Sequence, residues 1–236
     1  MSQKTSIEWT EYSWNPVTGC TKISEGCLNC YAEKMAKRLK AMGNPRYQNG
    51  FIITLQKDLI DIPFQWKKPR MVFVNSMSDL FHDSIPFEYI QKIFDVMNEC
   101  PQHTFQVLTK RSERLIELSK YLKWTHNIWM GVSIENNKTL FRLSDLKKTK
   151  AKTKFISFEP LLEGINISSL TGIDWVIVGG ESGPKAREMK EEWAKSIRDT
   201  CIQNGIPYFF KQWGGYYKKR NGRLLDGIEW SNMPKK

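Results

Sequence analysis

The chain has 236 residues, 40% of them hydrophobic and 26% charged, which suits one large α/β domain or two small ones. Lys and Arg outnumber Asp and Glu by 36 to 25. The net charge of +11 points to a polyanionic partner, nucleic acid first, or to a solvated basic face. No apolar run approaches the ~18–20 residues that span a membrane, and the N-terminus has no hydrophobic signal region. The expected location is therefore the cytoplasm, where five cysteines are not a disulfide framework.

In chain order, a candidate first strand lies near 14–17. It leads into Gly19-Cys20-Thr-Lys-Ile-Ser-Glu-Gly26-Cys27-Leu-Asn-Cys30-Tyr31-Ala32, a C-x6-C-x2-C spacing, and then into a helix expected over 30–42. FIITL (51–55) is a weak strand candidate. MVFVN (71–75), FQVLT (105–109), IWMGVSI (128–134), KFISF (154–158), WVIVGG (175–180) and PYFFKQW (207–213) are continuously apolar rather than alternating, and so read as buried strands. Between them the apolar spacing predicts helices. One covers 87–99, with Phe87, Ile90, Phe94 and Met97 on one face. Another covers 112–122, where Ser112 could act as the cap. A third covers 137–150, and a fourth 191–203, with Gly205 as its stop signal. Residues 164–173 read as a shorter connector. The lone Cys100 and Cys201 read as small core residues. The densest cation runs are 147–154 and 218–223, and the tail from about 216 is basic and loop-like.

Strands alternating with helices imply a parallel sheet with right-handed crossovers. About eight such units favour a TIM-type (β/α) barrel, complete or partial, over a doubly wound sheet. No Pro/Gly/Ser-rich linker or repeat interrupts the chain. One domain is expected over 1–236, with a cysteine loop at about 14–31 and a basic extension at about 216–236. Chemistry in such folds sits at the C-terminal strand ends. Here those ends carry Asn75, Ser76, Ser78 and Asp79; Thr109, Lys110 and Arg111; Ser133 and Glu135; Ser157 and Glu159; Gly179, Gly180, Glu181 and Ser182; and Lys211, Gln212 and Trp213. In a barrel, all of them converge on one cavity.

Three thiolates on a short loop, Cys20, Cys27 and Cys30, suit three irons of a [4Fe-4S] cluster and leave the fourth iron open. A structural zinc site needs a fourth ligand, and His82, after a strand end, is the candidate. A redox dithiol at Cys27 and Cys30 is the third reading, and it leaves Cys20 unexplained.

Ile7-Glu-Trp-Thr-Glu-Tyr-Ser-Trp-Asn-Pro-Val-Thr-Gly-Cys20 followed by Gly26-Cys-Leu-Asn-Cys-Tyr-Ala32 resembles a phage-encoded three-cysteine-motif family of uncharacterised proteins. The resemblance continues through Asn75-Ser-Met-Ser-Asp-Leu-Phe-His82, Leu108-Thr-Lys-Arg111, Gly131-Val-Ser133, Phe158-Glu-Pro160, Gly179-Gly-Glu-Ser182 and Phe210-Lys-Gln-Trp213, nearly the whole chain. That family is distantly similar to radical S-adenosylmethionine enzymes. Two departures stand out. The usual spacing there is C-x3-C-x2-C, so this loop has three extra residues. The Gly-Gly-Glu-like motif there follows the second strand, whereas Gly179-Gly180-Glu181 comes late.

The resemblance implies a [4Fe-4S] cluster on Cys20, Cys27 and Cys30, with S-adenosylmethionine chelating the open iron. One-electron reduction, which needs an electron donor, would give a 5′-deoxyadenosyl radical. Asn75, Ser78, Asp79, Ser133, Glu135, Glu159, Gly180 and Glu181 are the candidates for binding the cofactor. Lys110, Arg111, Lys211, Gln212 and Trp213 are those for the substrate. Net charge makes nucleic acid or a nucleotide the expected substrate of a monomeric enzyme that modifies or repairs it. Trp9, Trp14, Trp213 and Tyr216 would line the opening. The alternatives are a zinc-binding nucleic-acid-binding protein or nuclease, and a cluster-bearing sensor without turnover.

Overall fold

The structure is a computed structural model and describes residues 3–235. The remaining parts of the single-domain expectation over 1–236 lie outside the described residues.

Seven strands, β1 (Tyr12–Trp14), β2 (Met71–Val74), β3 (Thr104–Thr109), β4 (Ile128–Ser133), β5 (Thr153–Phe158), β6 (Trp175–Gly179) and β7 (Tyr208–Gln212), form one parallel sheet in sequence order. The sheet curls into a half-barrel, the α/β architecture expected in its partial form. The crossovers carry α1 (Tyr31–Ala41), α2 (Phe87–Glu99), α3 (Ser112–Ser119), α4 (Phe141–Lys147) and α5 (Glu191–Gln203). In α2, Ile90, Ile93, Phe94 and Met97 are fully buried at helical spacing. Helix α5 ends in a Schellman motif: Ile206 N donates to Cys201 O at 2.9 Å and Gly205 N to Ile202 O at 3.1 Å, with Gly205 at φ 65°.

Side chains alternate across the sheet. The convex face (Val72, Val74, Val107, Met130, Ile156, Val178, Phe210) packs under the helices. The concave face is filled at its N-terminal half by Trp9, Phe73, Trp129, Phe155, Trp175 and Phe209. Trp175 is fully buried, and the rings of Trp9, Trp129, Phe155 and Phe209 surround it with centroids 5.6–6.1 Å away. Gly131 makes room for this plug, since a Cβ there would stand 2.5 Å from the Phe155 ring. With both faces covered, the strands read as continuous apolar runs.

Several expectations need correction. The units number seven. In 51–55 only Thr54–Leu55 is extended, and it pairs antiparallel with Val17–Thr18 in a separate ribbon. Short 3-10 turns at Lys57–Leu59 and Ile62–Gln65 follow it, leaving no crossover helix that could bring it into the main sheet. The first strand ends at Trp14, ahead of Pro16, which has no N–H to give. Helix α3 starts after Arg111, and Ser112 instead donates to Asp145 Oδ2 at 2.7 Å, tying α3 to α4. Residues 164–173 form the short connector expected of them, without a helix. Asn137 holds that stretch open, donating to Gly164 O and accepting from Asn166 N, each at 2.8 Å.

Nor is the tail a loose loop. Ser231 bridges Phe209 antiparallel, Phe210 N donates to Trp230 O at 2.9 Å, and Trp175 Nε1 donates to Asn232 O at 2.9 Å. It covers the exposed edge of β7, as the short strand Gln3–Lys4 covers β1. Cys100 and Cys201 are core residues, both fully buried. Among the described residues no helix is long and apolar enough to cross a membrane.

Candidate functional site

The cysteine loop lies across the C-terminal mouth of the half-barrel and is held by four strand ends. Next to β1, Gly19 N donates to Met77 O and Cys20 N to Phe51 O, and a Cβ on Gly19 would collide with the Ile52 carbonyl. Beyond β2, Ser78 Oγ donates to Val17 O at 2.9 Å, and Tyr31, directly after Cys30, donates to Ser76 O. His82 Nε2 is 2.8 Å from Thr21 Oγ1, while its Nδ1 accepts from Ser84 N at 3.1 Å. Beyond β3, Arg111 donates to Thr21 O (3.2 Å) and Thr21 Oγ1 (2.9 Å) and pairs with Asp83, while Cys20 Sγ donates to Thr21 O at 3.4 Å.

Beyond β4 the buried Glu135 carboxylate accepts from Ser24 Oγ (2.7 Å) and Arg142 (2.9 Å), and also from Lys110 Nζ. A Cβ on Gly26 would strike the Glu135 side chain, so only glycine lets the loop sit this close. Beyond β6, Glu181 accepts from Asn29 Nδ2 and from the Arg187 backbone N and Nε, all at 2.9 Å. Arg187 Nη2 reaches Glu25 O at the same distance.

Two carboxylates are held ionised by these contacts. Burial works against the Glu135 charge, but Lys110 and Arg142, with hydrogen bonds from Lys110 and Ser24, outweigh it and depress its pKa. Glu181 is likewise depressed: the bonds from Arg187 and Asn29 overcome its burial. Burial, reinforced by Asp79, pushes the Cys20 thiol up to about 12 despite Arg111. Burial, with Arg111 nearby, lowers the His82 pKa, so the ring is neutral at pH 7.

The expected cofactor residues divide into two groups. Asn75 (φ 61°) accepts from Val17 N at 3.3 Å, and Asp79 accepts from Phe81 N, Thr109 Oγ1 and Lys110 N. With Ser78, Glu135 and Glu181, these brace the chain itself. Gly180 meets the Trp213 carbonyl, which a Cβ would strike. Ser133 is buried, its carbonyl taken by Arg142 at 2.8 Å. Glu159 lies differently. It pairs with Lys211 Nζ at 2.6 Å across β6, where side-chain-less Gly179 leaves the gap. Beside them on the concave face, Ser157 Oγ is buried without a hydrogen-bond partner. Of the expected substrate residues, Lys110, Arg111 and Gln212 are engaged internally, Gln212 donating to Ser182 Oγ at 2.7 Å. Trp213 donates to Leu224 O at 2.8 Å. Trp9 and Trp14 are 2% exposed and lie away from the mouth, one in the aromatic plug and one on the convex face, whereas Tyr216 is exposed.

Sequence reasoning missed Thr21, Ser24, Asn29, Arg142 and Arg187. Thr21, Ser24 and Asn29 lay in view between the cysteines, but their partners are distant in the sequence. Arg142 and Arg187 gave no signal, because their partners lie across a turn or far along the chain. Among the described residues no three His, Cys, Asp or Glu side chains converge on a single ion. A cluster takes one thiolate per iron and asks for no such convergence. A loop with three half-buried thiols, fixed from several sides and with the Arg111 charge acting on Cys20, fits it in donor chemistry. His82, the expected fourth zinc ligand, has both ring nitrogens committed.

Among solved structures, the fold is similar to a spore photoproduct lyase variant with dinucleoside spore photoproduct. The TM-score is 0.53 at 14% identity, over 86% of this chain and 75% of that one. It is similar also to spore photoproduct lyase complexed with the same ligand, TM-score 0.52 at 12% identity, over the same shares. A further variant with bound AdoMet and the dinucleoside scores 0.50 at 13% identity, again over 86% and 75%. Their half-barrel is the architecture seen here. No curated protein matches the sequence. Over residues 4–234 the chain matches, and belongs to, the family described as protein of unknown function (DUF5131).

Proposed function

We propose that this protein is a radical S-adenosylmethionine enzyme acting on nucleic acid or a nucleotide, with Cys20, Cys27 and Cys30 holding a [4Fe-4S] cluster. The observation that carries the reading is the loop of three thiols fixed over the strand ends of a parallel half-barrel. The same fold, in a lyase, holds AdoMet and a dinucleoside, which supports the cofactor and the substrate class. The net charge of +11 supports a polyanionic substrate.

When bound, the cluster and S-adenosylmethionine would supply one-electron chemistry, a 5′-deoxyadenosyl radical that takes hydrogen from the substrate. The chain's part is to hold and shield. Glu135 and Glu181 fix the loop before any metal arrives. Arg111 offsets negative charge at Cys20. Glu159 offers a carboxylate to an amine or a hydroxyl pair, and Lys211 an ammonium to a carboxylate or phosphate. The plug around Trp175 closes the opposite end to water.

Anaerobic reconstitution tests the reading. Iron, sulfide and a broad visible absorption are expected, with an electron paramagnetic signal that changes on adding S-adenosylmethionine and 5′-deoxyadenosine formed under dithionite. Protein that binds no iron refutes the cluster. Iron without any change on adding S-adenosylmethionine refutes the radical reading.

A further inference from the structure

Beside the mouth, the chain after β7 displays two adjacent aromatic rings to solvent. Tyr216 is 60% and Tyr217 63% exposed, with ring centroids 4.5 Å apart and planes at 67°. Their backbone is not free to wander. Gly215 N donates to Glu181 O at 2.7 Å, and Gly183 N donates to Gly215 O at 3.0 Å. Gly214 (φ 81°) and Gly215 (φ 85°) make the turn, and a Cβ on Gly214 would strike the Glu181 carbonyl. Asn221 Nδ2 closes it by donating to Gly214 O at 2.7 Å. The rings therefore stand on the segment whose Glu181 carboxylate grips Asn29 of the cysteine loop. Cations gather on the same segment. Lys34 Nζ on α1 lies 3.1 Å from where a Gly183 Cβ would be, Lys185 is two residues further on, and both are exposed, as is Arg220.

Exposed rings anchored on a fixed backbone and flanked by cations have the chemistry of a single-strand binding surface: bases stack on the rings and phosphates meet the lysines. We infer that Tyr216 and Tyr217, with Lys34 and Lys185, form a platform that binds a nucleic-acid strand beside the barrel mouth. The inference rests on the nucleic-acid reading of the substrate and deepens it: the ligand is a polymer with neighbours to the reacting nucleotide, not a free nucleotide.

The test is fluorescence anisotropy of the full chain with a labelled oligothymidylate of about twelve nucleotides, within the site sizes such surfaces cover. Y216A/Y217A should bind about ten- to a hundredfold more weakly, the loss expected from one or two base-stacking contacts. Y216F/Y217F, which keeps both rings, should stay within about twofold of the parent on the same grounds. K34A/K185A should weaken binding and lower the salt slope by about one to two. An alanine pair that binds like the parent, a parent that does not bind the strand, or a mononucleotide that binds as tightly as the oligomer overturns the inference. So does salt-sensitive binding indifferent to the rings, the behaviour of a surface for an acidic protein. Iron is measured on the same preparations. A protein that binds the strand through these rings but takes up no iron refutes the cluster and leaves the platform standing.

Discussion

Glu135→Gln removes one charge while keeping the shape of the side chain. The wild-type carboxylate has no exposed surface and meets Arg142, itself 3% exposed, as well as Lys110 and Ser24. Removing one partner of a buried ion pair costs about 3–5 kcal/mol, chiefly because a buried charge is left uncompensated. Lys110 is partly solvated and the amide oxygen still accepts one bond, so the low end, about 3 kcal/mol, applies. For a chain of this size each kcal/mol moves Tm by about 2–4 °C, which gives a drop of about 6–12 °C. Thermal melting followed by circular dichroism measures it. The companion variant Glu159→Gln breaks a pair in which both side chains keep some exposure, 12% for Lys211 and 21% for Glu159, and should cost less, about 1–2 kcal/mol. Pairing Glu135→Gln with Arg142→Met removes the stranded cation and should recover at least about 1 kcal/mol. A Tm for Glu135→Gln within about 2 °C of the parent, less than 1 kcal/mol here, refutes the argument that this carboxylate clamps the loop.

Three more outcomes follow from the same contacts. Because Glu135 and Glu181 have depressed pKa values when folded, the stability they add is complete above the ordinary carboxylate pKa of about 4.3 and is lost as pH falls through the folded values. Urea unfolding at pH 7 and at about pH 3, below the ordinary carboxylate value, should show that loss, and Glu135→Gln should show less of it. Gly131→Ala pushes a methyl against the fully buried Phe155 ring and should cost about 1–3 kcal/mol, part of it regained by adding Phe155→Leu. In anaerobic reconstitution, Cys20→Ser, Cys27→Ser or Cys30→Ser should each lower iron content, whereas Cys201→Ser, in the core, should leave it unchanged.

What was legible follows from what each residue touches. The strands showed because helices bury one face and the aromatic plug the other, so no polar alternation masked them. The 164–173 crossover reads as a connector because its order comes from Asn137, nearly thirty residues upstream, and not from a periodicity of its own. Trp9 and Trp14 were placed at the opening because nothing local says that one plugs the barrel floor and the other donates to Leu59 O at 2.7 Å. The strand-end carboxylates were found by position. The uses of Glu135 and Glu181 were hidden, because Ser24 and Asn29 come from more than a hundred residues away.

The long Cys20–Cys27 interval looks different once those partners are placed. Its residues are not slack. Thr21 meets Arg111 and His82, Ser24 meets Glu135, and Gly26 is packed against the same carboxylate. Glu25 meets Lys138 through its side chain and Arg187 through its carbonyl. Four of the six residues between the first two cysteines are therefore tether points, attached beyond β2, β3, β4 and β6. A shorter interval would span less of the mouth and lose tethers in proportion. The interval between Cys20 and Cys27 is thus tied to the strand ends residue by residue, in part through the ionised Glu135 carboxylate.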